Sequence, residues 1–202
     1  MGDRPRGFVD SLLEAVEGRA FRGTVYRFIG SRFLESALAS AGSLMHGGRF
    51  NPPQRFEVLY TALAADTALA EREGILLTAT GIKAAHGIRT GILLRIRCHL
   101  ARVLNLADEH VRQQLQISLA DLLGPWLPWN VPTPSEFAPA PSQRIGIAVH
   151  ASRRFEAILT PSTKDVAGRC LAIFPDRLQS SSVVSVEDPN GIIAARLGLG
   201  NR

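Results

Sequence analysis

The chain has only two cysteines, Cys98 and Cys170, in 202 residues. That is too few for the disulfide framework of a small secreted domain. Each sits in an apolar, strand-like run, so both are expected as buried thiols in a reducing cytoplasm. No run of about 18 apolar residues occurs, which excludes a transmembrane helix. The N-terminal stretch MGDRPRGFVDSLLEAVEGRAFRG has no apolar signal core, and its acidic residues argue against a transit peptide. A cytoplasmic location is therefore expected. Lysine is scarce: Lys83 and Lys164 are the only two among 23 basic residues. There is no basic run of five or more residues and no basic–aromatic interleaving, which counts against a nucleic-acid-binding surface. No G-x-G-x-x-G follows a strand, and neither G-x-x-x-x-G-K-[ST] nor G-x-S-x-G occurs. His46, His86, His99, His110 and His150 include no pair three or four residues apart, so no metal site is expected.

What is present suits one domain of ordinary size. A hydrophobic content of 46% supports a substantial core, and 20% charged residues keep the surface polar. The net charge of +5 is carried by arginine. Arginine makes flat, two-pronged contacts with phosphate, so the excess fits a phosphate-bearing metabolite or a nucleic acid. A GC-rich genome accounts for it equally well.

Phe8, Leu12 and Val16 share one face of an amphipathic helix over residues 8–18, ended by Gly18. A short strand, GTVYRFIG, follows, then a helix or turn, RFLESALASAG, that closes at Gly42. EVLYTA reads as a strand and AADTALAEREG as a helix with Asp66 near its start. ILLRIRC is a strand, and ARVLNL is a second extended piece. ADEHVRQQLQ, ISLADLLG and RIGIAVHASRRF are helix-compatible, while EAILTPST, GRCLAIF and SSSVVSVEDPNG contain strands. GPWLPWNVPTPSEFAPAPSQ, with Trp126 and Trp129, reads as an ordered proline-rich loop packed on the domain, because a disordered linker seldom carries two tryptophans. Short strands and helices without regular alternation indicate an α+β fold in a single domain, a compact mixed sheet with flanking helices. Residues 1–23 form a helical extension before the main domain, 24–202.

Several polar residues stand at element edges: Arg27 in VYRF, Arg49 after Gly47 and Gly48 in GGRF, Tyr60 ending VLY, Glu71 in TALAERE, and Ser162 in AILTPST. Singly, each has an ordinary structural reading. Arg27 suits a solvated strand, Glu71 an exposed helix charge beside Arg72, and Ser162 a turn cap. In order, YRF, GGRFNPP, EVLYTA, TALAERE and ILTPS resemble the RES domain, named for its Arg, Glu and Ser. The resemblance covers roughly residues 24 to 175. GILLRIRCHLARVLNL is also similar to the family's middle strand, with Asn105 in place of an acid. Phe50 replaces the commoner tryptophan, Pro53 a glycine, and PSTK the more frequent Pro-Ser-Ala.

The resemblance implies an ADP-ribosyltransferase-like fold and breakdown of NAD, by hydrolysis or phosphorolysis, by the toxin of a bacterial toxin–antitoxin pair. NAD is then the substrate, inorganic phosphate a candidate co-substrate, and no cofactor is expected. The implied partner is an Xre-type helix-turn-helix antitoxin. Carried onto this sequence, the catalytic candidates are Arg49, Tyr60, Glu71 and Ser162. Tyr26, Arg27, Gly48, Phe50 and Asn51 are the substrate-binding candidates. Arg49 and Arg27 would meet the pyrophosphate together with glycine-exposed backbone N–H groups. Phe50 would keep an aromatic wall and shape the turn with Asn51. Glu71 would stabilise the oxocarbenium-like state formed as nicotinamide leaves the ribose, by analogy with glycoside hydrolysis. Tyr60 would face the nicotinamide or the ribose, and Ser162 would position Glu71 or bind a phosphate oxygen. Two other readings stay open: transfer of ADP-ribose to a macromolecule, and a non-catalytic, arginine-rich nucleic-acid-binding module. A degenerate family member without activity is disfavoured by the intact Arg, Tyr, Glu and Ser set.

Overall fold

The computed structural model describes residues 12–73, 77–78, 81–82, 90–126 and 138–198. Its spine is β5 (Ile92–Asn105), where alternation buries Leu94, Ile96, Cys98 and Leu100 and leaves Leu93, Arg95 and Arg97 exposed. β1 (Arg19–Ile29) lies antiparallel along it, from Arg19↔Val103 to Ile29↔Ile92. The other edge of β1 meets β2 (Leu59–Ala62) at Tyr26↔Ala62. β2 pairs with β7 (Arg169–Ile173), β7 with β6 (Ala157–Pro161), and β6 runs parallel to the end of β5. The order β1-β2-β7-β6-β5 thus returns to β1 and closes five strands into a ring, which removes their free edges. β8 (Val183–Val186) pairs with Ile96–His99 of β5, on the stretch of that edge β6 does not cover, and β9 (Arg196–Gly198) pairs with β8. A separate pair, β3 (Leu77–Thr78) and β4 (Gly81–Ile82), stands apart.

Two cores follow from the two faces of this ring. Val25, Leu59, Leu94, Ile96, Cys98, Leu100, Ala157, Leu171 and Ile173 fill one. Phe50, Leu104, Leu106, Ile145, Val149, Phe155, Ile158 and Phe174 form the other, on the side covered by helices. The helices are α1 (Ala41–His46), α2 (Ala65–Glu73), α3 (Glu109–Gln114), α4 (Leu119–Leu123) and α5 (Pro141–Ser152). The segment containing α3, α4 and α5 supplies the long crossover that a parallel β5–β6 pair requires.

The two extended pieces predicted at ILLRIRC and ARVLNL are one strand with a bulge. Arg19 faces Val103 while Phe21 faces Leu100, so β5 carries one extra residue there. The bulge reverses side-chain parity. Leu100 faces the ring core, whereas Leu104 and Leu106 join the helix-side core. The freed amides are met by Glu156, which is 0% exposed: its Oε2 accepts from Ala101 N at 2.6 Å and Arg102 N at 2.7 Å. Oε1 accepts from Gln179 N at 2.7 Å. One buried carboxylate therefore ties the bulge to the start of β6 and to the turn before β8.

Other expectations are adjusted. RFLESALASAG is a 3-10 helix over Ser31–Ser36 followed by α1, and Gly42 lies in the first turn of α1 rather than closing a helix. β1 begins at Arg19, before the expected domain boundary at residue 23, and Leu13 and Val16 belong to the helix-side core. The described part of the N-terminal extension is therefore integral to the fold. Cys98 is a buried thiol and Cys170 a half-buried one, and both are free. Most of the proline-rich loop, Trp129 included, lies outside the described residues; Trp126 is half-buried.

His150 closes the far end of α5. Its ring stacks on Phe56 with centroids 4.0 Å apart, stands edge-on to Phe174, and places Nε2 3.0 Å from Asp176 Oδ2. Burial holds its pKa below the ordinary value despite Asp176, so the unfolded chain takes up a proton that the folded state resists. Stability should then fall as pH drops through about 6.5, and His150→Gln should flatten that slope in urea titrations between about pH 7 and 5. Glu156→Gln turns one acceptor into a donor facing a backbone N–H. It should cost about 2 to 3 kcal/mol in urea denaturation, with the slope unchanged.

Candidate active site

The helix-side face of the ring carries a row of directly paired residues: Tyr26, Ala62, Cys170 and Thr160, one on each of β1, β2, β7 and β6. Tyr60, two residues before Ala62, shares that face and is half-buried against the helix-side core. Over Tyr60 folds the glycine–proline turn. Gly47, with φ 70°, ends α1 in a conformation that favours glycine, and Gln54, with φ 61°, turns the chain after Pro52 and Pro53. Gly48 is glycine for a steric reason: a Cβ there would lie 2.5 Å from the Tyr60 hydroxyl.

The turn is held from three sides. The Tyr60 hydroxyl accepts from Phe50 N at 2.9 Å and donates to Asn51 Oδ1 at 2.8 Å. Asn51, fully buried, donates to the carbonyls of Ser43 and Phe56. Gln143 of α5, also fully buried, donates to the carbonyls of Gly48 and Asn51 at 3.0 and 3.3 Å. α5 comes so close that a Cβ on Gly146 would sit 1.7 Å from the Phe50 carbonyl oxygen. Phe50 itself is 1% exposed within the helix-side core. Its side chain braces the turn from below, so the aromatic wall expected of it faces the core.

Arg49 projects from this turn. Its Nη1 donates to the carbonyls of Leu122 and Gly124, at 2.8 and 2.9 Å, and so caps the C-terminal end of α4. The opposite end of α4 is closed by a capping box between Ser118 and Asp121. Burial lowers the Arg49 pKa, while the nearby Glu71, Tyr60 and Cys170 act in the opposite direction. Burial pushes the Tyr60 phenol well above its ordinary range. The phenol is thus a neutral hydrogen-bonding post.

Glu71, an exposed residue near the end of α2, completes the group. Its Oε1 accepts from Ser162 Oγ at 2.5 Å and from Thr163 N at 3.1 Å, with Cys170 Sγ 3.7 Å away. Ser162 Oγ accepts in turn from Lys164 N and Asp165 N at 3.0 and 3.1 Å, so its own hydrogen is committed to Glu71. Burial, reinforced by Glu71, raises the Cys170 pKa and keeps the thiol protonated as a weak donor. Among the described residues, every hydrogen bond to Glu71 falls on Oε1.

Arg49, Tyr60, Glu71 and Ser162 are therefore brought together, with Gly48 and Asn51 building the turn beneath Arg49. Tyr26 lies on the same face, one strand from Ala62. Arg27 alternates onto the other face, between the buried Val25 and Ile29. Its Nη1 and Nη2 donate to the carbonyls of Ala37 and Ala39 at 3.2 and 2.9 Å, and burial lowers its pKa to about 10. Those bonds fasten the segment after the 3-10 helix. Gln143, Gly146, Thr163 and Cys170 were not anticipated from sequence. Their partners lie 90 or more residues away, and no local pattern marks them.

The family model of the RES domain matches residues 24–191, and the chain belongs to that family. The chain is also similar in structure to one from the crystal structure of the M. tuberculosis MbcT–MbcA toxin–antitoxin complex. The TM-score is 0.61 at 19% identity, over 95% of this chain and 92% of that one. At that identity the likeness is one of fold. It supports the expected α+β class, a mixed sheet with flanking helices. No curated protein matches the chain.

The turn beneath Arg49 is directly testable. Tyr60→Phe removes the acceptor for Phe50 N–H and the donor to Asn51, and it should destabilise the protein by about 1 to 3 kcal/mol in chemical denaturation.

Proposed function

We propose that this RES-domain protein cleaves the nicotinamide–ribose bond of NAD. The observation that carries the reading is the asymmetry of Glu71. One carboxylate oxygen is held by Ser162 and Thr163, which leaves Oε2 to meet a substrate, beside the arginine of the glycine turn. A carboxylate held this way can stabilise positive charge developing at the ribose carbon without first reorienting. Nicotinamide is cationic in NAD and leaves readily.

Arg49 uses Nη1 on the α4 carbonyls, and among the described residues Nε and Nη2 are left as donors for a pyrophosphate. Tyr60 sets the height of the turn, and Tyr26 continues the same face toward the ring's next strand. Arg27, fastened to backbone carbonyls, supports the site's flank. With water as acceptor the reaction is hydrolysis. With inorganic phosphate it is phosphorolysis, and Arg49 would then serve two anions.

In the cell the protein would act in the cytoplasm as the toxin of a toxin–antitoxin pair, neutralised by an Xre-type helix-turn-helix protein. Family membership supports this, as does likeness in fold to a chain of the MbcT–MbcA toxin–antitoxin complex. No helix among the described residues is long and apolar enough to cross a membrane.

Purified protein incubated with NAD, with and without phosphate, should release nicotinamide, and the second product identifies the acceptor. Label appearing on a macromolecule instead would replace this reading with ADP-ribosyl transfer. Glu71→Gln should lower turnover at least about a hundredfold while the protein stays folded. Arg49→Ala should raise KM by about tenfold or more, and an unmoved KM would remove the pyrophosphate role.

A further inference from the structure

Glu71 is not the only residue of α2 that reaches the loop after β6. Thr67, one turn earlier, lies on the same helix face, as any i, i+4 pair does. It is 0% exposed, and its hydroxyl donates to Asp165 Oδ2 at 2.5 Å. The other oxygen of Asp165 accepts from Ala167 N at 3.2 Å, and Asp165 N donates to Ser162 Oγ. Two backbone bonds at 3.0 Å close the loop on itself, from Ser162 N to the Gly168 carbonyl and from Gly168 N to the Asp165 carbonyl. Gly168 leaves no slack: a Cβ there would stand 2.5 Å from Asp165 Oδ2 and 2.7 Å from Thr67 Cγ2. The same loop therefore grips α2 twice, at Thr67 through Asp165 and at Glu71 through Ser162 and Thr163.

We infer that Thr67 and Asp165 are positioning residues for Glu71, an inference that rests on the catalytic reading of Glu71 above. Glu71 is a solvent-exposed side chain near the end of a nine-residue helix, and left alone it would sample several rotamers. The Thr67–Asp165 clasp fixes the helix against the loop, so that Ser162 Oγ and Thr163 N meet one carboxylate oxygen and hold it. Neither Thr67 nor Asp165 touches the reacting atoms. Their contribution is the orientation of Oε2, which matters for the chemical step more than for binding.

The test uses the full chain, with initial rates of NAD loss and amide exchange measured on Thr67→Val, Thr67→Ser and Asp165→Ala beside wild type. Thr67→Val keeps the side-chain shape and deletes only the hydroxyl, which guards against an outcome that merely reports misfolding of Asp165→Ala. The expected result is a kcat lowered about tenfold or more in Thr67→Val and Asp165→Ala, with KM within about twofold, and recovery of most activity in Thr67→Ser. In Thr67→Val the Thr163 amide, which bonds Glu71, should also exchange at least about tenfold faster. A folded Thr67→Val with wild-type kcat would overturn the inference, and so would an unchanged Thr163 exchange rate. A wild-type protein inert toward NAD would strike the catalytic reading alone, because the exchange measurement reads the clasp without turnover.

Discussion

The site depends on a single buried carboxylate far from it. Glu156 accepts the two amides released by the bulge in β5 and a third from Gln179. Ala101 N also reaches Ser182 Oγ at 3.2 Å, but Arg102 N and Gln179 N have Glu156 as their acceptor. Leaving each of these two unpaired would cost about 1 to 3 kcal/mol, so Glu156 is the main support of the bulge. Because side chains alternate along a strand, one extra residue reverses every face beyond it. Leu104 and Leu106 thereby enter the helix-side core, and β6 joins β5 at Val103↔Ala157. The register of β6 then sets that of β7, at Thr160↔Cys170. Ser162 and Cys170, which flank Glu71, inherit their places from that chain of pairings.

Two independent supports converge on this frame. The Arg49 turn is built from β2 and α5, through Tyr60, Gln143 and the close approach at Gly146. Glu71 is set by α2 and the loop between β6 and β7. The cation and the carboxylate thus sit on different elements, close enough for Glu71 to act on Arg49 electrostatically. Each is oriented by its own set of hydrogen bonds.

Much of the fold was legible in advance because the signals were local. Alternation marked the first half of β5, and an alanine- and leucine-rich run with Asp66 near its start marked α2. The ordered set of Arg, Tyr, Glu and Ser was legible as a family pattern, and the structure gathers four of its members, Arg49, Tyr60, Glu71 and Ser162, into one site. Arg27 was less legible. A strand arginine reads the same whether it faces a ligand or two carbonyls, and only the parity of β1 places it with Val25 and Ile29. β9 escaped notice because three residues carry no periodicity. The bulge escaped because an extra residue in a strand looks like the end of one strand and the start of another.

The amino-acid sequence by itself determined the α+β class, the apolar runs that became strands, the glycine-lined turn around Arg49, and the family. These are properties of neighbouring residues, where propensity, period and backbone freedom act over a few positions. The closure of the ring, the partners of Glu71 and the split of labour between Arg49 and Arg27 were decided only in three dimensions. Each turns on a contact between residues far apart in the chain, such as Glu71 with Ser162 and Gly48 with Gln143, and such contacts leave no mark in local sequence. Glu156 is the sharpest case: an acid in a strand-like run reads as exposed, and only the two amides of a distant bulge explain why it is buried.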